Sequence, residues 1–234
     1  MFLPKKLFLL IPLFYFFVIY NLGALDFRVT DKELGFDLRG EYNRGLLYSV
    51  DASLLGAAEI NGMYSISGGL SFGAAGGSFD IKSFLRADLS PFKPSFLSAG
   101  FAWIYNGLPG FETHTHTLLP HFSLNTKWAG IIIGYGIRYN EFFGELSLVE
   151  TFLSFSIYAN IVKNEKLHLQ IVWANFDDFY AWNFGAYSLG VKGNITFNEN
   201  WTMVNELTVL QSGSVALSSN FYGIVYRGGV RFSW

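Results

Sequence analysis

His121 and Ser123 stand two positions apart. On a strand that spacing puts both side chains on one face, where an imidazole can take the proton from a serine hydroxyl as it attacks an ester. Phe122 and Leu124 claim the opposite, apolar face, so the pair is expected to point inward, and no acidic or amide partner for His121 follows from the sequence. Pro120 could shift this register. His114 and His116 also share a face, and paired imidazoles can hold a metal, but two ligands are too few to specify a site. A polar strand end near Gly107 explains them equally well. The glycine-rich run from Ser67 to Gly77 lacks the lysine of a phosphate loop and reads as relief of crowding in a curved sheet. No catalytic set, metal site or cofactor site is assigned.

The elements that must position these side chains are strands, because almost the whole chain is written with a period of two. Leu34, Phe36, Leu38 and Tyr42 alternate with Asp37, Arg39 and Glu41; Phe79, Ile81, Leu85 and Leu89 alternate with Asp80, Lys82, Arg86 and Asp88. Ile131, Ile133, Tyr135, Ile137 and Tyr139 form the cleanest apolar face. Turn signals divide the chain, among them Asn43-Arg44-Gly45, Asn61-Gly62, Pro91 to Pro94, Asn125-Thr126, Asn160 to Glu165 and Asn198 to Asn200. They mark twelve strands. Ten is the second count, because residues 112–124 and 201–212 alternate poorly. An even number closes an antiparallel barrel with both termini on one side. Trp128, Trp201 and Trp234 then fall at inner strand ends, and Tyr42, Tyr48, Trp103, Tyr105, Tyr139 and Trp173 toward outer ends, where amphipathic rings meet a water–lipid boundary.

Composition agrees with apolar surface turned outward. The 234 residues are 51% hydrophobic and 19% aromatic, with 25 phenylalanines and a mean hydropathy of +0.29. Lys5 and Lys6, the apolar run Leu7 to Tyr20 and Leu22-Gly23-Ala24 read as a secretory signal peptide over residues 1–24, leaving 25–234 as one barrel domain. Fourteen apolar residues are short for a membrane-spanning helix, which takes about twenty. No cysteine is present, so neither a lipidated cysteine nor a disulfide supports the exported chain. The 16 lysines and arginines less Lys5 and Lys6 leave 14 bases against 18 acids, a net charge of −4, and nothing suggests a nucleic-acid partner.

At the C-terminus, Tyr226, Val230, Phe232 and Trp234 share an apolar face, with Arg227 and Arg231 opposite. Arg227, Gly229, Phe232 and Trp234, with Tyr226, resemble the C-terminal β-signal of bacterial outer-membrane β-barrel proteins. The resemblance implies an all-β fold, a closed antiparallel transmembrane β-barrel of about 12 strands with short turns, in the cell outer membrane. It also implies that outer-membrane lipid and the barrel-assembly machinery are partners. His121 and Ser123 are similar in spacing to the His-x-Ser pair of outer-membrane phospholipases and lipid A deacylases, although those enzymes work on the lipid-facing side.

The non-lipid face collects Asp37, Arg39, Glu41, Asp80, Lys82, Arg86, Arg138, Glu150, Lys192, Arg227 and Arg231 as the expected pore lining, with Asp51, Asp88 and Glu206 beside them. Seven acids meet seven bases. They either brace a narrow, partly filled barrel or line a water-filled pore with little ion preference. Closure sets Arg227 and Arg231 against Asp37 and Glu41. The outer loops are short, which disfavours a surface-binding apparatus or a long constriction loop. Phe176 to Asn183, with Asp177, Asp178, Tyr180 and Trp182, would contact a sugar or nucleoside at the mouth or, the commoner case, form an aromatic tip at headgroup level. The expected function is a porin-like passive channel for small hydrophilic solutes, not an enzyme. A structural or surface-contact protein without an open pore is the main rival, and an outer-membrane lipid hydrolase the third.

Overall fold

A computed structural model describes residues 29–43, 46–75, 78–90, 96–182, 186–213 and 220–234. The expected signal peptide over residues 1–24, Arg44-Gly45 and Pro91 to Pro94 lie outside the described residues. Twelve strands follow in order: β1 (Val29–Asn43), β2 (Leu46–Ile60), β3 (Tyr64–Ala75), β4 (Ser78–Leu89), β5 (Leu97–Leu108), β6 (Thr113–Asn125), β7 (Ala129–Phe142), β8 (Glu145–Lys163), β9 (Leu167–Ala174), β10 (Ala186–Thr196), β11 (Trp201–Ser212) and β12 (Asn220–Ser233). Each pairs antiparallel with the next, and β12 pairs with β1, so the sheet closes. Closure satisfies every edge, which a sheet in lipid requires.

The period-two pattern sorts the side chains. On β1, Phe36 and Leu38 are exposed on the outside, while Asp37 and Arg39 are buried inside. On β12, Tyr226 and Val230 face out while Arg227 and Arg231 are buried. The Asn61-Gly62 turn has positive φ at both residues (56° and 62°), the conformation that makes this dipeptide a hairpin signal.

The two stretches that alternate poorly are real strands, which settles the count at twelve. β6 carries His114, His116 and Pro120 at outward positions, and β11 carries Asn205 outward, where it accepts a hydrogen bond from Tyr226 Oη at 2.9 Å. Pro120 does not shift the register. Leu118 pairs with Ile137 and His121 with Gly134, on one continuous diagonal, so the missing N–H interrupts the ladder without displacing it.

Four inward carboxylates lie over three glycines of neighbouring strands. Asp37 is opposite Gly229, Asp88 is opposite Gly100, and Gly73 stands between Asp51 on one side and Asp80 on the other. A Cβ at any of these glycines would collide with the carboxylate. Glycine is what lets the acid lie flat on the wall.

Candidate functional site

The lumen is organised around the connection between β9 and β10. Its base is Asn175, fully buried, whose Nδ2 donates to Leu153 O (2.8 Å) and whose Oδ1 accepts from Phe155 N (2.7 Å), fastening the loop to β8. The loop then doubles back. Asp177 Oδ1 accepts from Phe179 N and Tyr180 N (2.8 and 2.7 Å), Tyr180 O accepts from Asp177 N (2.7 Å), and Phe176 bridges Ala181. This side-chain-closed turn points Phe179 across the barrel.

The expectation of an aromatic tip at headgroup level is therefore corrected. Phe179 is only 4% exposed and packs with Leu55, Phe84 and Ile104 on the inner wall, edge-on to the Phe84 ring at 5.1 Å. Tyr180 lies beneath the Arg39 guanidinium (4.5 Å) and the Lys82 ammonium (4.8 Å) and stacks on Trp182. Asp177 Oδ2 pairs with Arg39 Nη1 and Asp178 Oδ2 with Arg227 Nη1, each at 3.3 Å. The lumen offered cations and an apolar patch, and the loop has matching groups for both. A connection of ordinary length thus acts as a constriction, which its length alone argued against.

The electrostatics of the two loop acids differ. Both still touch the lumen, with 29% and 38% of their side chains exposed. Burial pushes the Asp177 carboxyl above its ordinary value, and Arg39 offsets this only in part. The same burial acts on Asp178, but Arg227, backed by Lys192 and Arg86, overcomes it and holds that carboxyl below its usual range.

Around the loop the wall charges are largely paired. Closure does bring Arg227 and Arg231 to β1, but both converge on Asp37, with Arg231 Nη2 at 2.8 Å. Glu41 does not take part, because Asp37 stands opposite Gly229, between the two arginines, and Glu41 is two inward positions beyond, opposite Val225. Arg39 Nη2 takes Glu41 instead (3.3 Å), and Arg231 Nε reaches Glu33 (3.3 Å). Lys82 bridges Asp51 and Asp80, Arg86 pairs with Asp88 (2.6 Å), and Arg138 pairs with Glu150 (3.2 Å) while also donating to Ala181 O of the loop. Lys192 faces the open part of the lumen, opposite Glu206 in register.

The loop leaves room on one side. A cavity of about 350 Å³ runs along the β8 to β12 wall, lined by Ser156, Gln170, Ser188 and Thr208 as well as Arg86, Lys192, Glu206 and Trp182. A second, of about 230 Å³, continues toward the inner end past Glu33, Ser67, Asn194 and Arg231, and Asp178, Lys192 and Arg227 line both.

His121 and Ser123 face the lumen, each only 3% exposed, but they do not form a nucleophile–base pair. His121 Nε2 faces Asp88 Oδ1 (2.7 Å) and its Nδ1 faces Leu119 O (3.0 Å), so neither nitrogen is left for the serine. Ser123 hydrogen-bonds Ser98 instead. Asp88 is an acid partner that only strand pairing reveals. His114 and His116 lie on the outer face, where Tyr105 Oη hydrogen-bonds His114 Nδ1 (2.8 Å), the His114 ring stacks on Tyr105, and the His116 ring is tilted against Tyr105 and stacks on Trp103. No third metal-ligating side chain joins them among the described residues.

Comparison with solved structures finds the same closed barrel elsewhere. The translocator domain of autotransporter NalP from Neisseria meningitidis superposes over 90% of this chain and 91% of that one, with a TM-score of 0.56 and 13% identity. The fold is that of an outer-membrane β-barrel. The NanC porin (TM-score 0.54, 14% identity, 84% and 98% covered) and the KdgM porin (0.53, 11%, 86% and 99%) share this outer-membrane barrel fold. No family model matches the chain, and neither does any curated protein.

Proposed function

We propose that this barrel sits in the outer membrane, exported by its leader and assembled through Tyr226, Arg227, Gly229, Phe232 and Trp234, and that it passes small hydrophilic solutes by diffusion. The observation that carries the reading is the cavity of about 350 Å³, with charged and hydroxyl groups in its lining, left beside the inward-folded loop. Hydroxyls, an amide and both signs of charge share its lining with apolar side chains such as Val172, Leu210 and Val225, so water and small polar molecules find hydrogen-bonding partners along one side of it, and the mixed charge gives little ion preference. Purified protein in a planar bilayer is expected to give discrete conductance steps. No steps, together with exclusion of small sugars from proteoliposomes, would overturn the channel.

A structural or surface-contact barrel that stays shut is the second reading. The loop's anchorage on β1, β4, β8 and β12 favours it, because these contacts hold the constriction from several sides of the wall. A lipid hydrolase gains nothing from the His121 and Ser123 geometry.

A further inference from the structure

Three rows of the wall set a carboxylate over a glycine, and they differ in how the acid is satisfied. Asp37 has both oxygens bonded, to Arg227 and Arg231. Asp88 has both bonded as well, Oδ2 to Arg86 Nε and Oδ1 to Arg86 Nη2 and His121 Nε2. In the third row two carboxylates share one ammonium: Lys82 Nζ lies 2.8 Å from Oδ2 of Asp51 and 2.8 Å from Oδ2 of Asp80. Their Oδ1 atoms are buried and have no hydrogen-bond partner among the described residues. Both turn to the same place, over Gly73, which is opposite Asp51 on β2 and opposite Asp80 on β4. Asp51 is 1% exposed, Asp80 6% and Lys82 3%.

Two carboxylate oxygens converging in a buried setting repel each other unless positive charge lies between them. Lys82 is already committed to the other pair of oxygens. Asn106, opposite Lys82 in register, adds a third buried oxygen, its Oδ1, that lacks a partner. Asp80, Lys82 and Asn106 border a cavity of about 180 Å³ near the outer end of the barrel, with room for water ligands. We infer that Asp51 and Asp80 form a binding site for a hard divalent cation over Gly73, with Asp80 and Lys82 placing it beside that outer cavity. Carboxylate and water oxygens suit Ca²⁺, which accepts irregular coordination; softer metals would need nitrogen or sulfur ligands that the Gly73 row lacks. The bound ion would tie β2 to β4 across β3 close to Tyr180, whose ring lies 4.8 Å from Lys82 Nζ. This holds whether or not the barrel conducts.

The test uses the full mature barrel folded in neutral detergent. Titration with Ca²⁺ in a calorimeter is expected to show one saturable site, and Tb³⁺ should bind there with luminescence sensitised by Tyr180 and be displaced by Ca²⁺. Asp51→Asn and Asp80→Asn should each weaken binding at least tenfold. Asp88→Asn, which alters the fully satisfied row, should leave it unchanged, and Lys82→Gln should tighten it by removing a competing charge. If the aspartate variants fail to fold, the wild-type titration and the Lys82→Gln shift still decide. Absence of a saturable wild-type site overturns the inference, as does equal loss in Asp88→Asn or weaker binding in Lys82→Gln.

Discussion

Phe179→Ala should release the constriction. The Phe179 side chain is almost completely buried against Leu55, Phe84 and Ile104. Full burial of a phenylalanine is worth about 1.5–3 kcal/mol, and an edge-to-face ring contact adds about 0.5–1.5 kcal/mol. Truncation therefore removes about 3 kcal/mol of docking free energy, a shift of roughly a hundredfold in the ratio of undocked to docked loop, at about 1.4 kcal/mol per tenfold. The loop's ion pairs contribute less. Asp178 is 38% exposed, so solvent screening limits its pair with Arg227 to about 0–1 kcal/mol, and Asp177 fares similarly. Ladder pairing of the strands does not depend on Phe179, so the barrel should still fold, which heat-modifiable gel mobility checks. With no native cysteine to interfere, Ala181→Cys reports loop position through its reactivity with an impermeant maleimide. In the Phe179→Ala background, labelling should speed up by one to two orders of magnitude, and single-channel recordings should show a larger or more frequently open conductance. Unchanged labelling and conductance would refute the anchoring role, and so would a larger effect from Asp177→Asn alone.

Gly229→Ala should sharply lower folding yield, because the new Cβ overlaps the Asp37 carboxylate and Phe36 O, whereas Gly40→Ala, with open space around it, should be neutral; comparing urea midpoints of the folded barrels tests the contrast. The loop should stay docked from pH 7 to about 4. Docking depresses Asp178, so its contribution is present above the ordinary value of about 3.9 and is lost as pH falls through the lower docked value, while the raised Asp177 takes its proton earlier and favours the docked form by doing so. A conductance rise already near pH 6 would contradict this assignment. Ser123→Ala should hydrolyse phospholipid and lipid A no differently from wild type, since Ser123 bonds Ser98 and His121 has no free nitrogen; loss of a measurable activity would reinstate the enzyme.

What could be read before folding and what could not divides along the reach of each interaction. The alternation of β1 or β7 is imposed residue by residue, because lipid on one side and lumen on the other constrain each side chain separately. Meeting points across the ring are different. That Arg227 and Arg231 face β1 follows from closure, but that both seek Asp37 rather than Glu41 depends on a rung set by twelve strands of accumulated register. The loop is the sharper case. Asp177, Asp178, Tyr180 and Trp182 have the composition of a rim, and taken alone they read as one. The signal of their true position is spread over four distant positions: Leu55, Phe84 and Ile104 put apolar side chains at inward places where their neighbours are mostly polar, and Phe179 is an apolar tip on a polar loop. An apolar patch inside a charged lumen needs an apolar partner, and a loop that closes its own turn through Asp177 can deliver one. Gly73, Gly100 and Gly229 follow the same logic. As single residues they look like relief for curvature, but each stands opposite a carboxylate, so the glycine and the acid specify each other. Among these rows, the one with an acid on each side of its glycine and a single lysine between them is where the wall's own charges do not suffice.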